Sequence, residues 1–186
     1  MAMKVHLLRH ARPQPPTVAT AEVALSAQGL ADAERIVSLL ASLDIRRIVS
    51  SPYRRAIETV EPFAASTDIV IERDERLRER VMPLAESPEM HFKIVRASFE
   101  DSSYAPESGE TFKETTERVL DCLRELVLDT PSGLLLVGHG QCLTQLLKAG
   151  DGAADYEFWR SMPTPALLEL TTTDDGAPAS FRELDF

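Results

Sequence analysis

The sequence predicts an α/β fold, a three-layer α/β/α sandwich around a mostly parallel sheet. Three observations carry this. Short apolar runs alternate along the chain with stretches of helical periodicity, the pattern of a parallel sheet covered on both faces. The 186 residues suit one domain. Two of the apolar runs stop abruptly, one at Arg9-His10 and one at His139, and such sheets bind ligands at the carboxyl ends of their strands.

Taken in order, Val5 to Leu8 is an apolar run suited to a buried strand, closed by Arg9-His10-Ala11-Arg12-Pro13. Residues 13–18, with Pro13, Pro15 and Pro16, read as a loop. Ser26 caps a helix over residues 27–42, whose apolar positions Leu30, Ala33, Ile36, Val37 and Leu40 share one face. A second strand is predicted over Ile45 to Val49, and Ser50-Ser51-Pro52 signals the start of a helix over residues 54–65, with Pro62 bending or shortening its end. Ile69 to Ile71 reads as a third strand. Residues 74–108 mix charges and prolines around a short helix near His91 to Ser98. A long helix follows over residues 110–128, with Phe112, Thr116, Val119, Leu123, Leu126 and Val127 inward. Leu134 to Val137 is a strand ending in Gly138-His139-Gly140, then a helix to about Lys148. Strands at residues 166–171 and 180–184 flank a turn at Asp174-Asp175-Gly176.

Twenty Lys+Arg against thirty Asp+Glu give a formal net charge of −10, which argues against nucleic-acid binding by overall positive charge and against anionic membrane surfaces. A local anion site survives this objection, because remote surface charge is screened over about 8 Å. No apolar run approaches the roughly 18 residues of a membrane span, and the first apolar run is too short for a signal peptide. Cys122 and Cys142 read as buried reduced thiols of a cytoplasmic protein. The four histidines and two cysteines form no metal-ligand spacing, so no metal or other cofactor is expected.

Arginine and histidine are expensive to bury, so Arg9 and His10 are expected to point into a cleft rather than a core. Arg54-Arg55 follows the second strand, and His139 stands between two glycines; each is weak alone, as a solvated helix face or a satisfied turn histidine. His6 is read as packing within its strand, His91 as surface or packing with a lid over the substrate as the alternative, Trp159 as core or subunit contact, and Arg54 as facing solvent.

Together these segments resemble a family. Leu7-Leu8-Arg9-His10-Ala11 resembles the RHG signature of the histidine phosphatase (phosphoglycerate mutase-like) superfamily, and Ala24-Leu25-Ser26-Ala27-Gln28-Gly29 its following LT..G element. The run from Ser50 to Thr59 resembles its SSPLxRAxxT segment, Leu77-Arg78-Glu79 its acid motif, Ser108-Gly109-Glu110-Thr111 its GGES helix start, and Val137-Gly138-His139-Gly140 its second histidine. Ala11, Arg12 and Pro13 depart from the usual pattern, and the stretch after Glu79 lacks the glycine-tryptophan pattern of many relatives.

The resemblance implies one antiparallel strand in the sheet; the chain is read as one domain over residues 1–186, with an insert at about 80–108 as a substrate-facing cap, because loops at such sites carry specificity. It implies His10 as a nucleophile that becomes phosphohistidine, Arg9, Arg55 and His139 as holders of the phosphoryl oxygens, and Glu79 as general acid. Arg12 and Gly140 are candidate pocket residues, with Arg12 either favouring a doubly anionic substrate or facing solvent. The chemistry is coherent: neutral imidazole offers a lone pair, guanidinium forks neutralise equatorial oxygens, and a carboxylic acid protonates a poor alkoxide. The implied function is metal-independent hydrolysis of a small phosphorylated metabolite or phosphohistidine, with a homodimer as one oligomeric option. Cofactor-dependent phosphoglycerate mutase chemistry ranks second, since Arg12 to Pro16 and the chain length depart from the mutases, and a non-catalytic phosphate-binding module third.

Overall fold

The computed structural model describes residues 2–15, 20–83 and 85–185; part of the proline loop predicted at 13–18 lies outside the described residues. Six strands, β1 (Lys4–Arg9), β2 (Arg47–Ser50), β3 (Ile71–Arg73), β4 (Leu134–Gly138), β5 (Ala166–Thr172) and β6 (Pro178–Leu184), form one sheet in the order β3-β2-β4-β1-β5-β6. β1, β4, β2 and β3 pair in parallel, β5 runs antiparallel to β1, and β6 runs antiparallel to β5. One strand, β5, therefore opposes the rest, as the family resemblance implies.

Alternation along the central strands feeds two cores. On one face Val5, Leu7, Leu134 and Leu136 pack with Val119, Leu123, Leu143 and Leu146 from helices α5 (Phe112–Asp129) and α6 (Gly140–Asp151). On the other, Leu8, Leu135, Val137 and Ile48 pack with Ile36, Leu40, Val60 and Phe63, from the segment of α1 (Ala27–Arg35) and α2 (Val37–Ala41) and from α3 (Arg54–Thr67). β4 is buried along its whole length, which is why it reads as an uninterrupted apolar run.

Several boundaries differ from the sequence reading. The helix predicted over 27–42 is two helices, because the backbone at Ile36 (φ −73°, ψ −12°) ends one and starts the next while its side chain stays buried. The second strand begins at Arg47 rather than Ile45, since the Arg46 and Arg47 N–H groups both donate to the Gly133 carbonyl. The third strand is shifted to Ile71–Arg73, where pairing with Ile48–Ser50 and the Arg47–Glu72 ion pair (2.8 Å) set the register, and Val70 is left exposed. Pro62 does not shorten α3, which runs on to Thr67 and stops where Asp68 turns left-handed (φ 56°).

The difficult stretch holds α4 (Pro88–Glu100), longer than the predicted helix because the Ser87 hydroxyl accepts from the Met90 N–H and Pro88 opens the first turn. α5 starts at Phe112 behind a capping box between Thr111 and Glu114. Ser108, where the quoted family motif has glycine, adopts φ 62°, the left-handed region that glycine occupies most easily. Helix α7 (Tyr156–Ser161), which no sequence signal singled out, is capped by Asp155 and packs Tyr156 and Trp159 against Val95 of α4 and Phe112 of α5. Among the described residues, no helix is long and apolar enough to cross a membrane.

Candidate active site

The two histidines named from the sequence meet because their strands are neighbours. β1 and β4 pair with Arg9 opposite Gly138, so the residues that follow each strand emerge side by side, and the His10 N–H donates to the Gly138 carbonyl at 3.0 Å. The two imidazole centroids lie 5.1 Å apart at 59°. β2, on the other side of β4, ends in Ser50 and delivers Ser51 and Arg55 to the same place.

Each imidazole is fixed by what its ring nitrogens touch. His10 Nδ1 lies 2.7 Å from the Ala11 carbonyl, which can only accept, so Nδ1 carries the hydrogen and Nε2 keeps its lone pair. That carbonyl is positioned in turn: the Ala11 N–H donates to Thr59 Oγ1 at 2.8 Å, and the Thr59 hydroxyl donates to the Arg55 carbonyl at 2.7 Å. The Arg55 Nε–H points at His10 Nε2 across 3.3 Å, a long and weak hydrogen bond. His139 shares a 2.7 Å hydrogen bond between Nε2 and Ser51 Oγ, and its buried Nδ1 has no partner among the described residues. Tyr53, in place of the leucine in the quoted motif, sets its ring edge-on to His139 at 5.0 Å and beneath the Arg55 guanidinium at 4.9 Å.

Arg9 and Arg55 flank these rings. Arg9 donates from Nη1 to the Met162 carbonyl at 2.7 Å, and Arg55 from Nη1 to the Thr20 carbonyl at 2.9 Å; neither forms an ion pair among the described residues. Burial lowers the pKa of both, with the charge of Glu79 opposing it. Two cations, one buried and one half-buried, without carboxylate partners are costly unless an anion joins them.

Glu79 reaches the cavity from the loop after a single 3-10 turn (Glu75–Leu77). Its Oε1 accepts from the Arg80 and Cys142 N–H groups at 3.0 Å each, and its Oε2 from the Gln141 N–H at 3.1 Å. It thereby serves the first turn of α6, where His139 provides no side-chain cap. The loop is braced by Arg118, which donates to both oxygens of Glu110 and to the Arg76 and Arg78 carbonyls.

A cavity of about 870 Å³ opens over this centre, lined among others by Arg9, His10, Arg12, Arg55, Glu79 and Arg80. Arg12 is exposed at its rim. His139 and Gly140 are buried and absent from its lining. Gly140 makes room instead: a Cβ there would lie 3.0 Å from Trp159 Nε1 and 3.1 Å from Arg9 Cζ. Gly29 plays a similar part, since a Cβ would overlap the Arg12 carbonyl oxygen, which accepts from the Ser26 N–H at 2.9 Å. His91, read from sequence as surface or packing with a substrate lid as the alternative, and Trp159, read as core or subunit contact, both line the cavity, and so does Arg80, which the sequence did not single out. Arg54 faces solvent in an ion pair with Glu58, and His6 is buried with Nε2 3.8 Å from Glu169.

Protonating either central imidazole works against the fold. Burial pushes the His10 pKa from the ordinary 6.5 to about 3, aided by the charges of Arg55 and Arg9 and opposed by the bond to Ala11. His139 is held well below 6.5, first by burial and then by His10 and Arg55. Both groups titrate normally once unfolded, so between 6.5 and those lowered values the unfolded chain binds more protons than the folded one. Stability is thus full above the unfolded pKa and falls as pH drops below it, by about 1.4 kcal/mol per pH unit per buried histidine. Urea midpoints are expected to fall from pH ~7 to pH ~5, and His139→Gln to flatten that slope. An unchanged slope in the variant would place the acid sensitivity elsewhere.

The sequence profile of the histidine phosphatase superfamily (branch 1) matches residues 5–182. An uncharacterized protein of Mycobacterium tuberculosis, Rv0525, is 38% identical over 80 residues, which covers 41% of this chain and 40% of that protein. The match therefore spans well under half of that curated relative. Among solved structures, mycobacterial glucosyl-3-phosphoglycerate phosphatase Rv2419c superposes with a TM-score of 0.77 at 24% identity, covering 98% of this chain and 97% of the other. Bacillus stearothermophilus YhfR gives 0.73 at 25% identity, covering 97% and 95%.

Proposed function

Because the chain belongs to the histidine phosphatase superfamily (branch 1), we propose that it hydrolyses a phosphomonoester in two displacements at His10, without a metal. The observation that carries this reading is the convergence of two guanidinium groups, Arg55 buried and Arg9 half-buried, on a neutral imidazole whose Nε2 lone pair is available. Arg9 and Arg55 receive the phosphate, and the weak Arg55–His10 hydrogen bond yields to one from Arg55 to a phosphoryl oxygen. His10 Nε2 then attacks phosphorus as the ester P–O bond breaks, and Glu79, in its acid form, delivers a proton to the departing alkoxide. Water next attacks the phosphohistidine and passes its proton to Glu79; the P–N bond breaks and its electron pair returns to Nε2. His139 does not line the cavity, but its ring centroid is 5.1 Å from that of His10, so when Ser51 donates to His139 Nε2 the unpartnered Nδ1–H would donate to a phosphoryl oxygen carried on His10.

The segment 80–108 acts in this reading as a cap on a single domain, since Met82, Glu86, His91 and Phe92 supply one side of the cavity. The phosphatase activity named for the Rv2419c structure agrees with hydrolysis, and the substrate is left to this chain's own pocket.

The test is to trap the intermediate. A pulse of radiolabelled para-nitrophenyl phosphate, quenched in alkaline detergent, is expected to leave label on the chain that acid releases and base does not. Label lost in base, or equal labelling of His10→Ala, would overturn the assignment.

A further inference from the structure

The cavity of about 870 Å³ lies at the upper end of the volumes that enclose whole small-molecule ligands, far more than a phosphoryl group fills. One part of its remaining wall is aromatic. His91 and Phe92 of α4 and Trp159 of α7 line it together, with ring centroids 5.9 Å (His91–Phe92), 6.1 Å (His91–Trp159) and 6.1 Å (Phe92–Trp159) apart. This wall begins at the phosphate end, because Trp159 Nε1 and Arg9 Cζ abut the same point above Gly140. Phe92 is 37% exposed, an exposure shared between this cavity and a smaller one in which the Arg160 guanidinium lies over its ring at 5.0 Å. Burial lowers the His91 pKa, so this ring too is neutral at physiological pH.

The wall offers little to a second anionic group. Arg80 also lines the cavity, but its donors are committed to the Glu110 carbonyl (2.6 Å), the Ser98 hydroxyl (2.8 Å) and, more weakly, Gln141 and the Tyr104 carbonyl. Glu86 adds a negative charge on the same side, leaving Arg12 at the rim as the feature that would favour a carboxylate.

We propose that the alcohol half of the substrate carries a flat, uncharged ring that packs among His91, Phe92 and Trp159, whose planes are inclined to one another by 43° to 72°. This rests on the reading of His10 as the nucleophile of a phosphomonoesterase and narrows its substrate class. Edge-to-face or offset ring contacts and exclusion of water from these side chains supply the preference.

Three alkyl phosphates test it without changing the leaving-group chemistry: phenethyl phosphate, ethyl phosphate and phosphoglycerate. The expected kcat/KM for phenethyl phosphate exceeds that for each of the others by about ten- to hundredfold. Phe92→Ala is expected to collapse the phenethyl-to-ethyl ratio towards one, and Phe92→Tyr to keep it. A wild-type ratio within about twofold of one, or phosphoglycerate as the best substrate, would overturn the ring assignment while leaving hydrolysis standing. Failure to hydrolyse any of the three, with no trapped phosphoenzyme, would instead bring down the underlying reading and this one with it.

Discussion

His10→Ala is expected to lower kcat/KM for para-nitrophenyl phosphate by at least about 10³-fold, because nothing else nearby offers an equivalent lone pair at phosphorus. The loss should come without unfolding. The His10 ring makes one hydrogen bond through Nδ1 and a weak one through Nε2, and Leu7, Leu8 and the β1–β4 pairing remain. A melting transition near that of the wild type, with phosphate release at background, is the predicted pair of results. Retained hydrolysis would mean that the imidazole serves some other end.

The second large effect belongs to Glu79. Glu79→Gln is expected to slow hydrolysis of alkyl phosphates by about 10²- to 10⁴-fold, and that of activated aryl phosphates far less, since a nitrophenolate leaves without a proton. The substitution has a structural side as well. Both carboxylate oxygens accept backbone N–H groups from Arg80, Gln141 and Cys142, and an amide NH₂ in place of one oxygen would face a donor. The leaving-group dependence separates the roles. A distorted α6 start would depress both substrate classes together and lower the melting temperature, whereas loss of a proton donor shows only where the alkoxide needs one. Equal loss on both would assign the acid to another group.

The strands and the ends of strands were legible wherever burial is complete. Val5 to Leu8, apolar but for His6, and Leu134 to Val137 are buried runs, and the basic residues that close the first run cannot follow it into the core. The edges were harder. At the third strand, Ile69 and Val70 look more strand-like than Glu72 and Arg73, yet pairing with β2 selects the polar residues and leaves Val70 in solvent. α7 is six residues long, too short for helical periodicity to register, and it brings Trp159 to the cavity. The interactions of Glu79 with Gln141 and Cys142 join residues more than 60 positions apart, and Arg80 is buried through contacts with Ser98 and Glu110 that no local pattern encodes. Such tertiary partnerships appear only once the sheet order is known.

That sheet order has a consequence for how the pocket can diversify. The imidazoles hang from β1 and β4, whose apolar side chains reach into both cores, whereas the aromatic side is carried by α4 and α7, whose shared cluster takes in Phe112 of α5 while Phe158 packs on the larger core. Under the proposed reading, exchanging residues at 82–92 would retune which alcohol is accepted while leaving β1 and β4 in place. The chain is in this sense built as a fixed tool with a replaceable jig.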